Sequence, residues 1–174
     1  MTSKTPDAPS GSVFADAGAA RRAIELALPM IEPTLSDTTI CGSGFLCIVV
    51  LDPGLAPGEC AFEDAILAEH GCGERARWDA DYAAFARAKA RLAWFSGQDG
   101  HLVQTTQAHT LRAGDSLLWG GVCLDGIVVG VSGAHPPFDE AFATAIAANL
   151  RAIAKQRHAA ARKRGELAAA ASQA

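Results

Sequence analysis

Trp119-Gly120-Gly121-Val122-Cys123-Leu124-Asp125-Gly126-Ile127-Val128-Val129-Gly130-Val131-Ser132-Gly133-Ala134-His135-Pro136-Pro137-Phe138-Asp139-Glu140 reads as a strand, a tight turn, a second strand, a glycine-rich bend and a helix start. Asp125-Gly126 carries the turn. A two-residue hairpin turn whose twist matches the strands needs positive φ at its central positions, which Asp tolerates and Gly adopts freely. The expected arms are residues 116–123 and 127–132. A hairpin is antiparallel, so the sheet that contains it is not purely parallel. Gly120-Gly121 and Gly130 fall within the strand pattern rather than between a strand and a helix, which argues against a dinucleotide site.

Toward the C-terminus, Phe142, Ile146, Leu150 and Ile153 recur at helical spacing from a start near Phe138 to about Lys155. Upstream, residues 79–96 read as a helix capped by Asp79. Its apolar face is Tyr82, Phe85, Leu92 and Ala93, and Lys89 falls inside that face. Residues 101–107 read as a short strand with a threonine pair. Residues 45–51 are a continuous apolar run closed by Asp52-Pro53-Gly54, the pattern of a strand buried on both faces. Residues 60–67 read as another strand and His70-Gly71-Cys72-Gly73 as a loop. The first helix is expected over 15–31, with Ile24, Ala27, Leu28 and Ile31 inward and Pro29 kinking or ending it. Helix, strands, helix, hairpin, helix is an α+β order.

A hydrophobic fraction of 49% and a charged fraction of 20% belong to a globular chain. Its 174 residues are enough to bury a core without disulfide or metal staples. The expected organisation is a disordered leader over 1–12, one domain over 13–157, and over 158–174 an Ala/Arg/Lys-rich helical extension or tail. A formal charge of −4 argues against nucleic acid as a partner. No apolar run approaches the ~20 residues that cross a bilayer, so no membrane partner is expected. Cys41, Cys47, Cys60, Cys72 and Cys123 form no regular framework, and no secretory signal opens the chain. The expected compartment is the cytoplasm, with the cysteines as free, largely buried thiols.

Several residues carry candidate chemistry, each beside a plainer reading. Lys89 on a core-facing stripe would bind a ligand carboxylate, pair with a buried acid such as Asp139, or send its head group to water. Ser132, Gly133 and their neighbours would offer amides to an anion at a helix start, or would only permit a bend. Asp139 reads as a helix-start acid or a general base. Trp119, beside Gly120-Gly121, would stack on a planar ligand or pack in a core or interface. Among the histidines, His135 beside the turn is first choice as a ligand, followed by His101 and His109. His70 with Cys72 lacks the second donor pair of a structural zinc site, and no metal centre is expected. His158 sits on the basic run from Arg151 to Arg164, a solvated helix face. Cys123 in an apolar strand reads as an inert thiol.

The same residues resemble the GlcG/HbpS family, also called the haem-degrading domain family. The resemblance is carried by Val49-Val50-Leu51-Asp52-Pro53-Gly54, then by Lys89-Ala90 followed by Phe95. Gly120-Gly121, the hairpin, Gly130-Val131-Ser132-Gly133 and Asp139 follow in order, and the match spans about residues 45–153. It implies a profilin-like fold: an antiparallel sheet with N-terminal, middle and long C-terminal helices packed on it. It also implies a homo-oligomer that binds a small molecule, with haem or a related tetrapyrrole as cofactor. The implied site is Lys89, Trp119, Gly120, Gly121, Ser132, Gly133, His135 and Asp139. Two other functions are open: an enzyme of small organic acid catabolism using Lys89 and Asp139, and a non-catalytic assembly or adaptor protein.

Overall fold

A computed structural model describes residues 10–166. Residues 1–9 of the expected leader and 167–174 of the expected tail lie outside the described residues. Helix α1 spans Ala17–Ile31, and Asp16 caps it by accepting a hydrogen bond from the Ala19 amide at 2.8 Å. Pro29 does not end α1. The carbonyl that loses its donor belongs to Glu25 on the exposed side, where water can satisfy it. A 3-10 turn over Glu32–Ser36 follows. Strands β1 (Leu46–Leu51) and β2 (Ile66–Cys72) come next, then helices α2 (Tyr82–Ser96) and α3 (Gly100–Thr106). Strands β3 (Gly121–Leu124) and β4 (Ile127–Ser132) lead into α4 (Pro136–Lys163).

The four strands form one sheet in the order β2-β1-β4-β3, and every neighbouring pair is antiparallel. Asp125 and Gly126 join β3 to β4 with φ of 51° and 82°, as the Asp-Gly pair requires. Leu46, Ile48 and Val50 of β1, with Ile127, Val129 and Val131 of β4, pack against α1 and α4. Cys47, Val49 and Leu51, with Val128, face α2 on the other side. Alternate residues of β1 thus enter two different cores, which is why its sequence is apolar without a break. The fold is α+β, an antiparallel sheet between a two-helix layer and a one-helix layer.

Helix α2 lies unusually close to the sheet. A Cβ on Gly121 would press into the Lys89 backbone, 2.7 Å from its carbonyl carbon. One on Gly130 would stand 2.8 Å from Ala90 Cβ and clash with the Ala86 carbonyl. The face α2 presents is therefore lined with Ala83, Ala86, Ala90 and Ala93 around Lys89. Phe85, expected on that face, is 42% exposed, because a ring has no room where backbones nearly touch.

Other local readings are corrected. The second strand begins at Ile66 and runs through His70-Gly71-Cys72, which is not a loop. Gly71 fits within the strand because the Trp78 ring covers it, and the chain turns only at Gly73, whose φ is +78°. Asp81 caps α2 through the Ala84 amide, whereas Asp79 accepts from the Tyr82 hydroxyl at 2.6 Å. Residues 101–107 are not a strand but mostly helix α3. The hydroxyls of Thr105 and Thr106 turn back onto the carbonyls of His101 and Leu102, so these β-preferring residues sit in a helix. The first hairpin arm is only Gly121–Leu124. Gly120, at φ +110°, bends residues 116–119 out of the ladder. Helix α4 starts at Pro136, where the missing amide hydrogens of Pro136 and Pro137 cost nothing, and it continues past Lys155 to Lys163.

Candidate functional site

Lys89 and Asp139 meet at the centre of the molecule. Lys89 Nζ donates to Asp139 Oδ2 at 2.6 Å and to the Val131 carbonyl at 3.0 Å. The side chains are 3% and 2% exposed. Helix α2 supplies the lysine from its alanine face, and the first turn of α4 supplies the carboxylate. Burial pushes the Asp139 carboxyl up to about 6, against the opposing pull of the Lys89 ammonium. The same burial pushes Lys89 down, partly offset by Asp139.

The glycine-rich bend does cradle an anion, and that anion is Asp139. Its Oδ1 accepts from the Ala134 amide at 2.9 Å, so the bend's donor is satisfied from within the chain. Gly133, at φ +139°, turns the backbone against Phe45 and Leu46, and its carbonyl accepts from Ser43 Oγ at 3.0 Å. Ser132 is buried in β4, paired with Cys47. Gly120 faces the ion pair: a Cβ there would lie 2.7 Å from Asp139 Cβ and 3.3 Å from Lys89 Nζ. Lys89, Gly120, Gly121, Gly133 and Asp139 are thus brought together, around an interior pair rather than an open wall.

Trp119 and His135 stand apart from that pair. His135 precedes α4, and its Nε2 lies 3.0 Å from the Thr38 carbonyl. Trp119 packs against His101, with ring centroids 4.9 Å apart. His101 Nδ1 in turn lies 2.5 Å from Glu140 Oε2, the residue after Asp139. An imidazole that donates from Nδ1 to a carboxylate presents its Nε2 lone pair outward, the arrangement that makes histidine a good ligand or base. Both side chains keep partial solvent access, and Leu102, Leu118 and Phe138 are exposed on the same three elements. Gln104 ties these elements together by donating to the carbonyls of Ser116 and Leu118.

The two clusters are linked through α4. Asp139 points inward and fixes the first turn by two contacts, and the next residue, Glu140, then holds His101 from the other side. Glu140 had no signal of its own in the sequence, because residues 101 and 140 meet only through tertiary packing. His109 is exposed in a short 3-10 turn, and His158 lies edge-on to Phe14 at 5.6 Å. Burial raises the Cys123 thiol, which keeps it protonated. Among the described residues, no group of three or more His, Cys, Asp and Glu side chains is placed to hold a metal ion, and no helix is long and apolar enough to cross a membrane.

Neither models of protein families nor curated proteins gave a match to the sequence. Solved structures did. A double mutant of Streptomyces reticuli HbpS superposes with a TM-score of 0.56 at 23% identity, covering 85% of this chain and 94% of that one. A second HbpS structure gives 0.54 at 20% identity, covering 85% and 97%. The Klebsiella pneumoniae protein ORFY, of the DUF336 family model, gives 0.53 at 16% identity, covering 87% and 97%. The likeness covers nearly the whole of each neighbour. This chain has the GlcG/HbpS-like fold, the fold of HbpS and of ORFY.

Proposed function

We propose that this protein belongs functionally with the GlcG/HbpS type and binds a small molecule, with haem or a related tetrapyrrole as the ligand. The observation that carries the reading is the His101–Glu140 pair beside Trp119. A tetrapyrrole needs a nitrogen ligand for its metal and an apolar or aromatic face for its ring. His101 supplies the nitrogen, Trp119 an aromatic surface, and Leu102, Leu118 and Phe138 supply exposed apolar area on the same elements. Bound haem would supply ligand-binding or redox chemistry at its iron. The protein's own part is to orient the imidazole through Glu140 and to shield the ring. Lys89 and Asp139 do not suit propionate binding or acid–base catalysis as they stand, since they are closed off from solvent and already paired. Their role in this reading is to hold the first turn of α4, and hence Glu140, in place.

Titration with hemin tests the proposal. We expect a saturable Soret shift in the wild type and a displaced, at least tenfold weaker response in His101→Ala. Glu140→Gln should weaken binding by about 10- to 100-fold, the usual effect of removing a carboxylate behind a histidine ligand. An unshifted Soret band in the wild type, or a His101→Ala titration that overlays it, would overturn the reading.

Homo-oligomeric assembly in a cytoplasmic setting is a second proposal. Leu117 is 73% exposed in the segment that Gly120 bends away from the edge strand β3, and all five cysteines are unpaired thiols, which suits a reducing compartment. Light scattering should show a multiple of 18.0 kDa for the wild type and a smaller mass for Leu117→Asp.

A further inference from the structure

A cleft of about 210 Å³ lies on the other side of α3 from His101, between the end of α2 and the loop that precedes β3. Its floor is apolar: Leu92 and Val103 are both buried, and the Phe95 ring forms a wall. The Arg112 guanidinium lies over that ring, 5.1 Å from its centroid. Among the described residues Arg112 forms no ion pair with any carboxylate. Asp115, which also lines the cleft, spends an oxygen on the Arg112 backbone amide at 2.7 Å, which closes the turn that presents the guanidinium. On the opposite side Gln107 Nε2 donates to Gln98 Oε1 at 2.8 Å, fixing the two amides as a polar rim. A guanidinium placed over a phenyl ring and engaged in no ion pair keeps its fork of donors for a carboxylate. The apolar floor of Leu92 and Val103 then suits a short aliphatic chain on that carboxylate.

We infer that this cleft is a second binding site, for a short-chain aliphatic monocarboxylate whose carboxylate pairs with Arg112 and whose chain lies on Leu92 and Val103. The site shares no residue with the His101 face, so it stands or falls separately from the tetrapyrrole proposal.

The test is titration of the full chain with sodium butyrate, followed by backbone amide chemical shifts, with butyramide as the uncharged match. Butyrate should saturate with a Kd on the order of 1 mM, the range open to a ligand of so few atoms. The shifts should centre on Gln98, Val103, Gln107 and Arg112, and butyramide should bind at least tenfold more weakly. Arg112→Gln, an exposed substitution, should weaken butyrate by about 10- to 100-fold while leaving the hemin response unchanged. Shifts that remain linear to about 50 mM, equal binding of butyramide, or an Arg112→Gln titration identical to wild type would each overturn the inference. Should Arg112→Gln fail to fold, the butyrate-against-butyramide comparison and the map of shifts in the wild type decide it alone.

Discussion

Lys89→Met is expected to lower folding stability by about 3–5 kcal/mol, the effect of stranding one member of a buried ion pair. Without the ammonium, the buried Asp139 carboxylate keeps only backbone amides of the bend, Ala134 at 2.9 Å among them, and uptake of a proton is favoured. The double replacement Lys89→Met with Asp139→Leu should recover most of the loss, because well-packed apolar groups of similar volume match a buried pair. Urea unfolding of the two singles and the double measures this as a double-mutant cycle. Equal losses that add without coupling would mean that the pair contributes nothing as a pair.

The pH dependence of the same pair has a definite sign. Asp139 titrates near 3.8 in an unfolded chain and at about 6 in the folded one. Between those values the folded state binds more protons than the unfolded state, so this group's contribution to stability is lost as pH rises. The full change amounts to roughly 3 kcal/mol, about 2 kcal/mol of it between pH 4 and 6, and it levels off above pH 7. Lys89 acts at the alkaline end with the opposite slope. Its folded pKa is lowered, so the unfolded chain binds more protons there and stability rises toward pH 10.5. Stability measured across pH 4–7 for wild type and Asp139→Asn should differ by that acidic slope.

Gly121→Ala and Gly130→Ala should each cost about 3 kcal/mol and lower Tm by roughly 6–12 °C for a chain of this length. The added methyl meets backbone on α2 in both cases: the Lys89 carbonyl group for Gly121, and the Ala86 carbonyl for Gly130. Backbone atoms cannot swing aside as a side chain does, so the whole helix must lift from the sheet. Gly100→Ala is the matched control. Its nearest neighbours are 3.6 Å away and it lies in α3, so the change should be neutral or stabilise by up to about 1 kcal/mol. Thermal melts of the three variants decide the matter, and Gly100→Ala losing as much as the others would refute the close-contact account.

What could be read in advance follows a physical pattern. The hairpin and β1 were legible because Asp125-Gly126 and the unbroken run from Leu46 to Leu51 carry their constraints in adjacent residues. The edge strand β2 was misplaced. Only partly buried, it mixes Ala68, Glu69, His70 and Gly71, and Gly71 answers to Trp78 rather than to a turn. Helix α3 was read as a strand because two threonines outweighed seven residues too short to show a helical period. Lys89 was recognised as anomalous from its place among apolar neighbours, and Asp139 was named among its partners. The His101–Glu140 pair and the Arg112 cleft were invisible, since both arise where separate elements converge.

The long α4 has a consequence for how the chain is made. Arg157 Nη1 reaches Asp16 at 2.9 Å and Asn149 Nδ2 donates to the Ala23 carbonyl at 3.2 Å, so α1 docks on a partner 126 to 141 residues later in the sequence. During synthesis α1 emerges well before α4, and the part of its inner face that α4 covers stays open in the interval. That face is built largely of Ala19, Ala20, Ala23 and Ala27. Small side chains leave little sticky surface exposed on the ribosome until α4 covers them. A chain stopped before Pro136 lacks α4 altogether and is therefore expected to leave the ribosome with α1 held by the sheet alone.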